Sequence, residues 1–272
     1  MRINQNIMAF NSFRNLSATN NLMGKSMEKL SSGFRINRAA DDAAGLVKSE
    51  SLRVEINGSR QAVQNAQDGI SFVQTAEGAL NEVHSILQRM RVLAVDSANT
   101  ATTDGVAQQA EIDQLLAELD SIGARTTFAG NAVFQDYTAA ALTFHVGAGA
   151  AAVNQFAITD DLVLASNDLF GVDISTITMT SATAAITSLD QAIDAVSQGR
   201  AKLGATQNRM EHTIANLQVA VENLSASESR IRDTDMAHEM VTFTRHQIMA
   251  QAGTSMLAQA NVQPQAVLNL LG

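Results

Sequence analysis

The 272-residue chain contains no cysteine, no tryptophan, one tyrosine (Tyr137) and one proline (Pro264). Without cysteine there is no disulfide framework and no thiolate chemistry. Aromatic residues are only 4% of the chain, whereas a compact enzyme of this length usually buries several large rings. The apolar mass is instead Ala, Leu, Ile, Val and Met, the residues of helix–helix seams. With proline confined to position 264, nothing interrupts a helix over most of the chain. A basic surplus is also lacking. The net charge is −9 and no Lys/Arg cluster stands out, so the chain has no face with which to neutralise nucleic-acid phosphates. The acidic excess is spread along the sequence and serves solubility. Long apolar runs are missing too. The opening "MRINQNIMAFNSFRNLSATNNLM" reads neither as a cleavable secretory signal nor as a membrane span. The chain is expected either to stay in the cytoplasm or to leave by a route that reads no such signal.

What is present is helical periodicity. Ile3, Ile7, Phe10, Phe13, Leu16, Met23, Met27 and Leu30 recur mostly at three- and four-residue steps, predicting an amphipathic helix over 3–30 with Asn, Ser and Thr on its other face. The polar stretch "KLSSGFRINRAADDAAGL" follows as an elbow, with Asp41 and Asp42 where the next helix needs an N-cap and an acidic first turn. From Ala43 to about Ala98 the pattern stays helical. Ile56, Val63 and Ile70, then Val73, Ala76, Leu80, Val83, Leu87, Met90 and Ala94, describe a heptad seam. On the flank of that seam, Ile86, Arg89 and Leu93 form an i, i+3, i+7 row, with Leu93 expected to be exposed beside Arg89. "NTATTDG" breaks the helix, and a third helix is predicted over about 104–123 with Ile112, Leu115, Leu116, Leu119 and Ile122 inward. Residues 125–180 turn to Thr, Val, Phe and Gly in short alternating runs, predicting β-hairpins. The heptad then returns through Ile186, Leu189, Ile193, Val196, Leu203, Met210, Ile214, Leu217, Val221, Leu224 and Ile231, broken only at Arg200, Gln207 and Glu228. A looser amphipathic stripe closes the chain through Met240, Phe243, Met249, Met256, Ala260, Val267 and Leu270.

The expected fold is therefore mainly α. A long antiparallel helical coiled-coil rod carries a small β-hairpin region at its tip and two amphipathic terminal helices at its base. Three segments follow: 1–43, the N-terminal helix and elbow; 44–231, the rod with its β region; and 232–272, the C-terminal helix.

Chemical motifs were weighed and set aside. No two of His84, His145, His212, His238 and His246 stand three or four apart. "HEMVT" at 238 has Thr242 where a zinc helix needs its second histidine. "HVGAGAAA" at 145 lacks the Lys-Ser/Thr of a phosphate loop and reads as a tight turn. Asp41 and Asp42 diverge on a helix, and capping accounts for them better than acid–base chemistry. Arg35 and Arg38 are expected to pair with neighbouring carboxylates or pack on another subunit. The Met-rich C-terminal stripe suits adaptable packing against a partner helix better than a soft metal. No catalytic, cofactor or metal site is predicted, and the chain is not expected to be an enzyme. The two terminal stripes, by contrast, have no large core to enter, and exposed stripes of this kind signal a partner. If the partner is another copy, the contact is heterologous and propagates as a helical filament.

Four stretches carry a resemblance. "MRINQNIMAFNSFRNL", "LSSGFRINRAADDAAGL", "LQRMRVLAVDSANT" and "NVQPQAVLNLLG" are similar, in this order, to motifs of bacterial flagellin, and the similarity covers about residues 1–140 and 180–272. With a middle section of about 50 residues the chain resembles a minimal form without large surface domains. The resemblance implies a homopolymer with other flagellin subunits, a secreted structural protein of the extracellular filament for motility. It implies that 1–43 and 232–272 line the inner filament core and 44–231 the outer. Assembly would rest on Ile3, Ile7, Phe10, Phe13, Leu16, Met240, Phe243, Met249, Met256 and Leu270. It further implies export as an unfolded chain through the flagellar type III apparatus, a dedicated export chaperone on about 232–272, and filament cap and hook-junction proteins as partners. Gln88, Arg89, Leu93 and Glu111 stand where flagellins sensed by a Toll-like receptor carry their recognition residues, although Val92 occupies a position often acidic there. A hook–filament junction protein shares the terminal logic but matches these motifs less closely. A cytoplasmic coiled-coil adaptor leaves the elbow and C-terminal motifs unexplained.

Overall fold

The computed structural model describes residues 5–99, 105–135, 137, 141–158, 163–165, 168–175, 177–178 and 181–271, with backbone alone beyond residue 263. Among them are five α-helices: α1 (Ile7–Ser32), α2 (Ala43–Ser97), α3 (Val106–Arg125), α4 (Ala182–Arg232) and α5 (Met236–Leu271). Six short strands pair into three antiparallel two-stranded sheets: β1 (Thr127–Phe128) with β2 (Asn131–Ala132), β3 (Leu142–His145) with β4 (Gln155–Ile158), and β5 (Leu164–Ala165) with β6 (Asp168–Leu169). The fold is mainly α, with its only described strands confined to the stretch whose periodicity is two. Within it, turns at Ala129–Gly130 and Phe170–Gly171 have both central residues at positive φ (51° and 85°, then 52° and 86°), the geometry that matches the twist of a tight hairpin.

The chain divides into two compact units. One is Met1–Val54 with Asn223–Gly272, and the other is Glu55–Glu222.

In the second unit α2 and α4 run antiparallel. Going up α2, Gly69 meets Met210, Glu77 pairs with Arg200 and Arg91 with Asp190. The fully buried residues of α2 continue the predicted frame from Val73 to Ala94. Nearer the start of the unit the frame differs from expectation. Ser59, Ala62, Ala66 and Gly69 are the inward residues, and Val63 and Ile70 are half-buried flanks. On α4 the same shift occurs. Ala185, Leu189, Ala192, Val196, Gly199 and Leu203 are buried, while Ile186, Ile193 and Arg200 sit one step round the helix. A Cβ at Gly69 would press on the Met210 thioether, and one at Gly199 on the Phe170 ring. The small residues therefore leave room for side chains of facing elements, with Val63, Ile70, Ile186 and Ile193 at their flanks. Arg200 is accordingly no break in the seam; its guanidinium reaches Glu77 at the flank.

α3 and the hairpins complete this core. Ile112, Leu116 and Leu119 enter it with Val133, Phe134, Phe156, Leu164 and Leu169. Phe72, absent from the predicted frame, is buried edge-on against Phe128 and tilted against Phe144, with ring centroids 5.9 Å apart in both pairs. Gly123 has no room for a side chain, because a Cβ there would meet the Leu164 carbonyl oxygen.

Candidate assembly interface

The first unit is built around two helix ends. α1 stops at Gly33, whose φ of 75° is costly for other residues and whose N–H closes on the Lys29 carbonyl. The chain then needs a turn before α2, and two carboxylates shape it. Asp41 accepts from the backbone N–H groups of Arg38 (3.0 Å) and Asn37 (3.3 Å), while Asp42 accepts from the N–H of Gly45 (2.9 Å) as the N-cap of α2. Donation by the Arg38 N–H in particular holds the Asp41 carboxyl below its ordinary value. Arg38 itself pairs with Glu28 at 2.8 Å.

The sequence shows this elbow as the joint between two helices. It is half of a clasp. The Arg35 N–H donates to the Arg232 carbonyl (2.7 Å) and the Thr234 N–H to the Gly33 carbonyl (2.9 Å), so that Phe34 pairs with Asp233 as a one-residue antiparallel bridge. The Arg35 guanidinium donates to the Ile231 carbonyl at the end of α4 (2.6 Å). Arg232 lies 4.9 Å above the Phe34 ring and reaches Glu50 on α2 at 2.6 Å, which is the main reason the Glu50 carboxyl is held low. The two turns, 33–42 and 233–235, are thus fixed to each other. Asp235 then caps α5 through the N–H groups of Ala237 and His238. The only sequence sign of this second turn is the Asp-Thr-Asp at 233–235, a capping composition without apolar periodicity.

From the clasp, α1 and α5 run antiparallel: Lys29 faces Glu239, Leu16 packs on Gly253, and the Asn6 amide donates to the Ala260 carbonyl (2.8 Å). The seam between them combines small and hydroxyl residues with several larger apolar ones. On α1 the inward row is Ala9, Ser12, Leu16, Thr19, Met23, Ser26 and Leu30; on α5 it is Phe243, His246, Ala250, Gly253, Leu257 and Ala260. The packed face of α1 mixes Ser12, Thr19 and Ser26, from the face read as polar, with Leu16, Met23 and Leu30 of the stripe, and other large apolar residues point outward. Phe10 is 73% exposed and Phe13 61%, with Ile7 on the same helix and Met240, Met249 and Met256 on α5 likewise exposed. Of the predicted stripe residues, Leu16, Met23 and Leu30 on α1 and Phe243 and Ala260 on α5 turn into the seam. Ile3 and the side chain of Leu270 lie outside the described residues. Met240, Val241, Thr244, Arg245, Ile248 and Met249 line an apolar depression of about 470 Å³ on the outer side of α5.

In the second unit the expected recognition row is changed. Arg89 donates through Nε to Glu111 on α3 (2.7 Å), and the two side chains are half in solvent. Gln88 lies 2.9 Å from the His84 ring. Leu93, expected to be exposed, is only 7% so, and Ile86 is partly buried beside it, because α3 covers this flank of α2. Val92 is open to solvent. Among the described residues no cluster of three or more potential metal ligands occurs, and no helix is long and apolar enough to cross a membrane.

Comparison with known proteins gives two family matches. Residues 3–139 match the bacterial flagellin N-terminal helical region, and residues 186–271 the bacterial flagellin C-terminal helical region. A flagellin of Halalkalibacterium halodurans is 52% identical over 274 residues and a flagellin of Bacillus subtilis 46% identical over 305, each alignment covering both chains in full. A crystal structure of Bacillus cereus flagellin aligns with 57% of this chain and 88% of its own at 28% identity, with a TM-score of 0.45.

Proposed function

This chain belongs to the bacterial flagellins, a structural protein family, and from that premise we propose that its copies polymerise through the outward apolar faces of α1 and α5. The protein is a structural subunit of the extracellular flagellar filament that serves motility. The observation that carries the proposal is the exposed apolar surface of the terminal pair. Its own seam takes in small residues with Leu16, Met23, Leu30, Phe243 and Leu257, and still leaves Phe10, Phe13, Ile248 and Met256 facing water. A two-helix layer gains nothing from such residues until another surface covers them, at roughly 25 cal/mol for each Å² of apolar area buried. The repeated neighbour in a helical polymer is that surface. On this reading 1–43 and 232–272 line the filament's inner core, and 44–231 forms the outer core. Chains lacking 1–30 or 236–272 should keep the second unit folded by circular dichroism and form no filaments in electron micrographs. Filaments of normal diameter from either truncation would refute the assignment.

The same exposed face motivates the partners proposed for the chain before assembly. Export unfolded through the flagellar type III apparatus leaves the α5 segment, 232–272, without α1 to pack on, and a chaperone that covers it prevents premature association. Cap and hook-junction proteins would meet these faces at the filament ends. For receptor recognition the exposed polar pair Arg89–Glu111, with Gln88, is the proposed contact, shared with lateral packing between subunits. Leu93 contributes to the core beneath it. Arg89→Ala should lower Toll-like receptor signalling by the dissociated monomer without loss of stability. Leu93→Ala should instead lower the melting temperature, since truncating a buried leucine costs about 2–5 kcal/mol.

A further inference from the structure

Among the described residues, and apart from Met23 in the α1–α5 seam, the methionines differ in exposure between the two units. Met90 and Met210 in the second unit are fully buried, whereas Met8 and Met27 on α1 and Met236, Met240, Met249 and Met256 on α5 are each about half exposed or more. Met240 and Met249 line the apolar depression on the outer side of α5, and Met256 follows Met249 by two helical turns. A thioether in contact with water is open to two-electron oxidants, and its sulfoxide is a polar, chiral group that no longer suits an apolar interface. We propose that Met240, Met249 and Met256 are modification sites at which peroxide-class oxidants switch off polymerisation of the subunit. The proposal rests on the assembly reading given above.

The step balances. A sulfur lone pair attacks the terminal oxygen of hydrogen peroxide, an S–O bond forms and the O–O bond breaks. The departing hydroxide takes the proton of the new S–O–H group and leaves as water, so that the sulfoxide remains. Sulfur is oxidised by two electrons and peroxide is reduced by two. Each conversion places an S=O dipole on a surface that assembly would take out of water without a donor to satisfy it, so the polymer loses stability and the free subunit does not. The buried methionines make the selectivity visible within one chain, because Met90 and Met210 have no solvent access until the second unit opens.

Monomer is treated with graded hydrogen peroxide, the oxidised positions are read by peptide mass spectrometry, and the critical concentration for polymerisation is measured by sedimentation. Met240, Met249 and Met256 should gain oxygen well before Met90 and Met210. The critical concentration should rise by about tenfold or more, a free-energy change of ~1.4 kcal/mol or more per subunit, with the melting temperature of the monomer unchanged. Methionine sulfoxide reductases of both epimer specificities should restore assembly. A Met240→Leu/Met249→Leu/Met256→Leu variant should polymerise and keep doing so after peroxide. Normal polymerisation of sulfoxide-bearing wild type, or equal inhibition of the leucine variant, would overturn the proposal. Ile248→Asp, which cannot be oxidised, separates the two claims. If it blocks assembly while sulfoxides do not, only the oxidation proposal falls; if it polymerises normally, the assembly reading falls as well.

Discussion

Asp41 and Glu50 show how single side chains hold the turn between α1 and α2 against the turn between α4 and α5. Both carboxyls are held below their ordinary values of 3.8 and 4.5, Asp41 chiefly by the Arg38 N–H and Glu50 chiefly by Arg232. A depressed folded-state value means that the unfolded chain takes up protons first as pH falls. Their contribution is thus complete above the ordinary values and is lost as pH drops through the lower, folded ones. Both groups are exposed, so salt will weaken the effect. Hydrogen exchange at the Arg35 and Thr234 amides, corrected for intrinsic rates, should accelerate on acidification through this range. An Asp41→Asn/Glu50→Gln variant should exchange faster at neutral pH and lack the acid-dependent step. An unchanged acid response in the variant would show that other groups fasten the clasp. Asp42 acts separately: Asp42→Ala removes the N-cap of α2 and should cost about 1 kcal/mol in thermal unfolding.

At the scale of the element, the sequence made helices, hairpins and the elbow legible, and it misplaced several faces. Periodicity weighs residues by apolar size, so Val63, Ile70, Ile186 and Ile193 outrank Ala62, Gly69, Ala185 and Ala192. At these positions the small residues are nevertheless the buried ones, because the Met210 side chain fills the space over Gly69 and the Phe170 ring the space over Gly199. Leu93 was misread because the cover supplied by α3 depends on tertiary packing that a single helix's pattern does not contain. Two paired substitutions test this frame. Ala192→Asp, at a fully buried position, should destabilise the second unit by several kcal/mol, the cost of an unpaired buried polar group, and more than Ile193→Asp beside it. Equal losses would put the seam back on the isoleucine. Gly123→Ala should cost ~1–3 kcal/mol by forcing a methyl group onto the Leu164 carbonyl. Gly78→Ala, in a helix with open space around it, should stabilise by up to ~1 kcal/mol. Stabilisation by both would mean that β5 does not pack on α3 as described.

For the whole molecule, the assembly proposal separates the residues that fold the chain from those that would assemble it. The core of the second unit closes on itself around Leu80, Leu87, Leu119 and Leu189. The terminal pair zips with small and hydroxyl residues and a few apolar ones, and keeps Ile7, Phe10, Phe13, Ile248 and Met256 outside. Sequence periodicity marks Ile7, Phe10, Phe13, Met240, Met249 and Met256 as stripe residues, and these are exposed in the folded chain. It could not reveal that the Ser/Thr face of α1 would be the one turned to α5, since hydroxyls such as that of Thr19 become acceptable in a seam by donating back to their own helix, here to the Asn15 carbonyl at 2.9 Å. The direct test is the critical concentration for polymerisation of Phe13→Asp, measured beside the thermal unfolding of the same variant as a monomer. Phe13 is 61% exposed in the folded chain. Polymerisation should be lost with the melting temperature unchanged. Filaments at the wild-type critical concentration, or a loss of assembly matched by a loss of monomer stability, would contradict the division between folding and assembling residues.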